Sequence, residues 1–190
     1  MAPPTLLDRL AALDRAAFHL VNVDRGPALD LAARVLSDNV FGIAWGLALA
    51  FALVVRLRRD ALRGVLALGL AVAASDGLGH LLLRPLFGRT RPCYALAAGE
   101  VRRLLHAADV GSLPSLHAAN FCALATVATL ADRRLGLAAW PVAVAVAWSR
   151  VHGGVHWPGD VIAGAVWGPL AAFAAWAVAG RVLPGRVIRP

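Results

Sequence analysis

The 190-residue sequence contains no lysine: its nineteen basic residues are all arginine. In an alanine-rich background this skew reads as a coding bias and carries no function by itself. Cysteine is scarce. Cys93 and Cys122 are the only two, and Cys122 falls inside an apolar run, so a disulfide framework is excluded and two unpaired thiols are expected. Residues 1–22 lack a basic leader followed by an uninterrupted apolar core, which excludes a cleavable signal and leaves insertion to internal spans. No basic stripe or aromatic reading platform accompanies the net charge of +8. Nucleic acid is therefore not the expected partner, and anionic membrane lipid is.

What the chain does have is apolar residues, 59% of the total, more than a soluble domain of ordinary composition carries. The expected fold class is all-α: an integral membrane helix bundle of five transmembrane helices, with six possible, preceded by an N-terminal amphipathic interfacial helix. One domain covers residues 1–190, divided into N-terminal interfacial helices (1–39), a transmembrane core (40–179) and a cytoplasmic tail (180–190).

Over residues 5–21, Leu6, Leu10, Leu13, Ala17 and Leu20 recur at steps of three and four, with Asp8, Arg9, Arg15 and His19 mostly elsewhere. Such a helix lies in the membrane interface, because its central charges are costly in hydrocarbon. Pro27 starts a second short helix ending near Leu36, and Ser37, Asp38 and Asn39 offer capping oxygens for the first span. The spacing predicts spans over 40–55, 64–83, 116–131, 136–151 and 161–179, several close to the shortest length that crosses a hydrocarbon layer of roughly 30 Å. The six tryptophans read as interface anchors or packing residues. With five spans, Arg56, Arg58, Arg59, Arg63, Arg133, Arg134, Arg181, Arg186 and Arg189 share one side, expected to be cytoplasmic. The N-terminus, residues 84–115 and residues 149–160 then share the extracytoplasmic face of a bacterial inner membrane.

Three segments on that face carry chemistry. Arg84 and Arg91 flank a turn containing Pro85 and Gly88, and two guanidiniums so placed can close on a phosphate or meet lipid headgroups. Pro114-Ser115-Leu116-His117 opens the third span. There Ser115 is a natural N-cap, the first-turn N–H groups, that of Leu116 among them, can dock an anion, and His117 is either catalytic or interfacial. Ser149-Arg150 is followed by His156 and, four residues on, Asp160. The carboxylate can accept a hydrogen bond from one ring nitrogen and leave the other, unprotonated, free to attack, or it can cap the fifth span.

In order, R-x6-RP, PSLH and SR-x5-H-x3-D, each at a membrane edge, resemble the three-motif signature of the type 2 phosphatidic acid phosphatase superfamily, which includes membrane lipid phosphatases and vanadium haloperoxidases. The short length, small loops and outward site are most similar to bacterial undecaprenyl pyrophosphate phosphatases. The resemblance implies a lipid phosphatase working through a phosphohistidine, with His156 as nucleophile, Asp160 orienting it and His117 as general acid. Arg84, Arg91, Ser115, Leu116 and Arg150 would hold the phosphoryl oxygens. Phosphoryl transfer asks mainly for positioning and charge stabilisation, which guanidiniums and a helix N-terminus supply, so no metal and no cofactor are expected.

Two positions depart from the family pattern: Arg84 stands where lysine is usual, and Leu116 where glycine is usual. Leu116 is expected to add bulk beside the phosphate and motivates a rival reading as a phosphotransferase to an alcohol acceptor. A silent scaffold or lipid-binding protein is the rival from another class. Asp76, His80 and Arg84 follow at steps of four and are expected to support Arg84, with Asn120 supporting His117. Nothing singles out Arg89, Glu100, Arg102, Arg103, His106 or His152.

Overall fold

In a computed structural model, residues 3–109 and 111–183 are described, and among them every regular element is a helix. The order is α1 (Leu6–Val21), α2 (Pro27–Leu36), α3 (Asn39–Leu57) and α4 (Ala61–Leu78). A π-turn over Gly79–Leu83 leads into α5 (Arg84–Phe87), then α6 (Pro92–Ala95), α7 (Leu116–Ala131), α8 (Arg133–His152) and α9 (Pro158–Val182).

Local chemistry sets the boundaries. Thr5 and Asp8 form a reciprocal capping box at the start of α1. Of the three residues expected to cap α3, Asp38 is the one used: its carboxylate accepts the Val40 N–H at 2.7 Å. Asp132 caps α8 through the N–H of Arg134 at 2.8 Å and also takes the Arg56 guanidinium at 2.6 Å. The α3–α4 and α7–α8 turns therefore lie at one end of the bundle, and the three chemistry-bearing segments lie at the other. Helix α7 coincides with the expected 116–131, while the other spans start and stop a few residues beyond the expected limits; α9 continues to Val182, so residues 180–182 are helix and not tail. Arg186 and Arg189 lie outside the described residues.

Helix α7 is the central post. Its buried face is largely alanine, and it packs against α4, α8 and α9. Small residues let backbones approach where lipid offers no hydrophobic drive between helices. At Gly168 of α9, a Cβ would lie 2.1 Å from the carbonyl oxygen of Ala119 in α7, so only glycine permits this crossing. Outward faces carry Leu47, Phe51, Val144, Ile162 and Phe173, all exposed. An apolar surface of that extent is a belt for lipid, not for water. Three stretches, Asn39–Leu57, Ala61–Ala95 and Pro158–Val182, are long and apolar enough to cross a membrane, and Leu116–Ala131 is a shorter apolar helix.

The N-terminal helices sit over the site end. Leu6, Leu7, Leu10, Leu13 and Leu20 of α1 are exposed, while Phe18 is fully buried against Trp157. Asn22 binds the carbonyls of His152 at 2.7 Å and Arg102 at 2.9 Å. Asp30 of α2 receives Arg102 at 2.8 Å and His152 at 2.9 Å. These contacts give His152 and Arg102, which no sequence feature singled out, a role in holding the N-terminal helices to the end of α8.

Candidate active site

His156 lies in the short connection between α8 and α9, 1% exposed. Its Nε2 meets the Arg91 guanidinium at 2.8 Å and its Nδ1 faces the Asp160 carboxylate at 3.4 Å. A guanidinium only donates, so Nε2 carries the lone pair and Nδ1 the proton directed at Asp160. Burial pushes the imidazole down to about 3; the bond to Asp160 opposes that shift, and the charges of Arg150 and Arg91 add to it. His156 is therefore a neutral imidazole whose Nε2 lone pair is held by one arginine.

Asp160 is fully buried and fully used. One oxygen accepts from Arg89 at 2.8 Å. The other accepts from the Ser112 hydroxyl, from the Trp157 N–H at 2.9 Å and from His156. Asp160 sits three residues into the turn and not at the N-cap, which is Trp157; its carboxylate caps that residue's N–H while also holding the imidazole. The two roles weighed from sequence coexist because they share one oxygen.

Across the site, His117 in the first turn of α7 donates from Nε2 to the Ser37 carbonyl at 3.2 Å, and Arg150 reaches the same oxygen at 3.5 Å. Ser37, which caps the C-terminal end of α2, thus anchors both. Ser115 occupies the N-cap position of α7, but its hydroxyl makes no capping bond. Its N–H goes instead to the Asp160 carbonyl at 2.9 Å, which ties α7 to α9 directly behind the site.

Arg84, Arg91 and Arg150 stand within electrostatic reach of one another and of the two histidines. The Nε of each arginine and the Ser115 hydroxyl are buried without a hydrogen-bond partner. Leaving a buried donor unmade costs about 1–3 kcal/mol, so a fold does not gather four of them for its own stability. As buried donors, three of them on charged groups, they can serve an anionic acceptor.

Three expectations need correction. The π-turn breaks the four-residue step from Asp76 through His80 to Arg84. Asp76 accepts from Asn120 at 3.0 Å and reaches Arg84 through its charge, not through a hydrogen bond, while His80 is exposed and makes no hydrogen bond to Arg84. Asn120 consequently pairs with Asp76 and not with His117. Leu116, 5% exposed, does not crowd the phosphate side: its side chain fills the space above Gly79 in the π-turn, where a Cβ would come within 2.4 Å of it. Among residues that sequence reasoning passed over, Arg89 and Ser112 touch Asp160, and Asp14 of α1 touches Arg89. Arg89 carried one usable signal, its position inside the first arginine motif; Ser112 and Asp14 carried none.

Two cavities meet at His117. One of about 600 Å³ runs between α3, α4 and α7, walled by residues such as Gly42, Leu47, Leu68 and Leu124, with Asp76 and Asn120 beside His117. The other, of about 370 Å³, is bounded by Arg34, Ser37, His106, His117 and Arg150. Cys93 and Cys122 are free thiols, as the apolar setting of Cys122 implied.

A family model described as PAP2 superfamily matches residues 64–183, which include all three motifs. A putative undecaprenyl-diphosphatase, YbjG, of Escherichia coli is 33% identical over 194 aligned residues, spanning 94% of this chain and 90% of that protein. A lipid A 4'-phosphatase of Bacteroides thetaiotaomicron is 32% identical over 109 residues; the match spans 55% of this chain and 48% of that protein, about half its length. Among solved structures, Aquifex aeolicus LpxE superposes with a TM-score of 0.71 at 25% identity, covering 87% of this chain and 95% of that one. A PAP2-type phosphatidylglycerolphosphate phosphatase from Bacillus subtilis superposes with a TM-score of 0.69 at 22% identity, covering 94% and 90%, and shares the fold.

Proposed function

The chain belongs to the PAP2 superfamily, and from that premise we propose that it hydrolyses the phosphomonoester or pyrophosphate of a membrane lipid through a phosphohistidine, without a metal. The observation that carries this reading is the set of unpartnered buried donors on Arg84, Arg91, Arg150 and Ser115 around a neutral His156. An entering phosphoryl group takes over the Arg91 donor from Nε2 and so frees the lone pair for attack. The Nε2–P bond forms as the P–O bond to the lipid breaks, and His117, which carries a second proton while the anionic substrate is bound, passes it to the departing oxygen and is left neutral. That transfer is worth on the order of 10²–10⁴-fold. Water then attacks phosphorus, His117 takes its proton, and the Nε2–P bond breaks to release phosphate. Guanidiniums and the first turn of α7 carry the charge on the equatorial oxygens, the part a divalent ion plays elsewhere.

The lipid we favour is undecaprenyl pyrophosphate, with phosphatidylglycerophosphate and phosphatidate next. The similarity to the Escherichia coli relative along nearly all of both chains supports that order, and the apolar groove beside His117 gives a chain-bearing substrate a place to lie. In this reading five helices (α3, α4 with its π-turn extension, α7, α8 and α9) span the bacterial inner membrane. The site faces outward, α1 and α2 lie at the interface, and the arginine-rich turns are cytoplasmic.

A phosphate-release panel over the three lipids, run on wild type and His156→Ala, tests the proposal. Release is expected from at least one lipid, unaffected by EDTA, blocked by vanadate and absent in the variant. Release only with added Mg²⁺, or retained in His156→Ala, overturns the mechanism.

A further inference from the structure

The segment that precedes the first spanning helix reaches the catalytic carboxylate. Helix α1 docks through Phe18, whose ring centroid lies 5.3 Å from that of Trp157. One turn earlier on the same face, Asp14 holds two partners: its Oδ2 accepts from Arg89 at 2.5 Å and its Oδ1 accepts the Gly159 N–H at 2.7 Å. The other terminal nitrogen of Arg89 donates to Asp160 Oδ1 at 2.8 Å, the oxygen that His156 does not use. The Arg89 guanidinium carbon also lies 5.4 Å from the centroid of the Trp157 ring.

We propose that Asp14 and Arg89 are positioning residues for the reaction, and that α1 is through them a component of the active site. The reason lies in how Asp160 is shared. Its Oδ2 serves Ser112, the Trp157 N–H and His156, and the imidazole is the longest of these contacts at 3.4 Å. A small rotation of the carboxylate decides whether the Nδ1 proton is held. Arg89 fixes that rotation from the opposite oxygen, but its side chain is 30% exposed and long enough to swing away. Asp14 removes that freedom by binding the second arm of the guanidinium, so that each terminal nitrogen is held by its own carboxylate. Arg15, the next residue on α1, offers an internal contrast: it pairs with Glu100 at 2.6 Å, with both side chains about half exposed, and touches nothing in the site.

The inference rests on the phosphatase reading, so its test has a kinetic and a spectroscopic arm, both on the full chain in detergent micelles. Asp14→Asn keeps an oxygen for the Gly159 N–H while removing the charge that holds Arg89, so it is the variant expected to stay folded. It should lower kcat about tenfold with KM within about twofold. Arg89→Gln should lower kcat by about 10², Arg89→Lys should recover part of it, and adding Asp14→Asn to Arg89→Gln should cost nothing more, because the two act as a unit. Arg15→Gln should match wild type. In ¹⁵N spectra of histidine-labelled protein, the His156 Nδ1–H signal, assigned by its loss in His156→Gln, should move in Asp14→Asn and Arg89→Gln and stay fixed in Arg15→Gln. Unchanged kcat and unchanged signal in the first two variants overturn the proposal, as does an equal loss in Arg15→Gln, which would mean that α1 merely docks. If wild type releases phosphate from none of the lipids, the functional reading falls, while the spectra still judge the bridge.

Discussion

His156 shows how one side chain can be both conspicuous and costly. Held neutral by burial, it takes up a proton far less readily in the folded protein than in the unfolded chain, where imidazole titrates near its ordinary value of 6.5. The unfolded state therefore binds more protons between about pH 6.5 and about pH 3, and stability that is fully present above the upper value drains away as pH falls toward the lower. Thermal unfolding in detergent at about pH 7.5 and about pH 5 should show a larger loss for wild type than for His156→Gln, which lacks the titrating group. Equal losses would place the acid sensitivity elsewhere. At this scale the three motifs were legible in the sequence, because guanidinium, imidazole and carboxylate at the edge of an apolar run have few structural uses. Arg89 was not legible as a working residue, since an arginine between two others at a lipid boundary reads equally as a headgroup contact. Asp14 lies 145 residues from its partner Gly159, a distance over which sequence order carries no sign of contact.

At the scale of elements, the departure at Leu116 and the π-turn of α4 explain each other. The turn places Gly79 beneath the Leu116 side chain, so the extra bulk goes into α4 and not toward the phosphate, and the feature that motivated an alcohol acceptor loses its force. The turn itself was invisible beforehand, because the run from Gly79 to Leu83 fits an ordinary helix equally well. Filling the notch from the α4 side should be the damaging change. Gly79→Val is expected to push Leu116 off its seat and cut phosphate release at least tenfold, whereas Leu116→Gly, which only vacates the notch, should retain most of the activity with a lower melting temperature. A Gly79→Val protein as active as wild type would show that α7 and α4 are not coupled there.

For the whole molecule, the end-to-end division of labour follows from which charges are answered. At one end Arg56 meets the Asp132 carboxylate that caps α8; at the other, Arg15, Arg89 and Arg102 meet carboxylates, while Arg84, Arg91 and Arg150 each keep a buried Nε without a partner. The number of spans was the part least open to sequence reasoning, since α7 has sixteen residues and α8 carries charge at both ends, so neither announces a crossing as α3 and α9 do. Single cysteines placed in the free-thiol-removed protein at Arg58 and at Glu100 should settle the orientation in intact cells. A membrane-impermeant maleimide is expected to label position 100 and to spare position 58 until the membrane is opened, and the reverse pattern would invert the proposed topology.

The meeting of two unlike cavities at His117 bears on how the reaction ends. On the proposed chemistry the general acid stands at a watershed: the lipid product it has protonated lies against the apolar groove of α3, α4 and α7, and the phosphate freed in the second step lies against the arginine-lined hollow beneath α2. Each product then departs into the solvent it prefers. Neither has to be dragged through the other's medium, and a site sealed around its nucleophile can empty in two directions, one for each step.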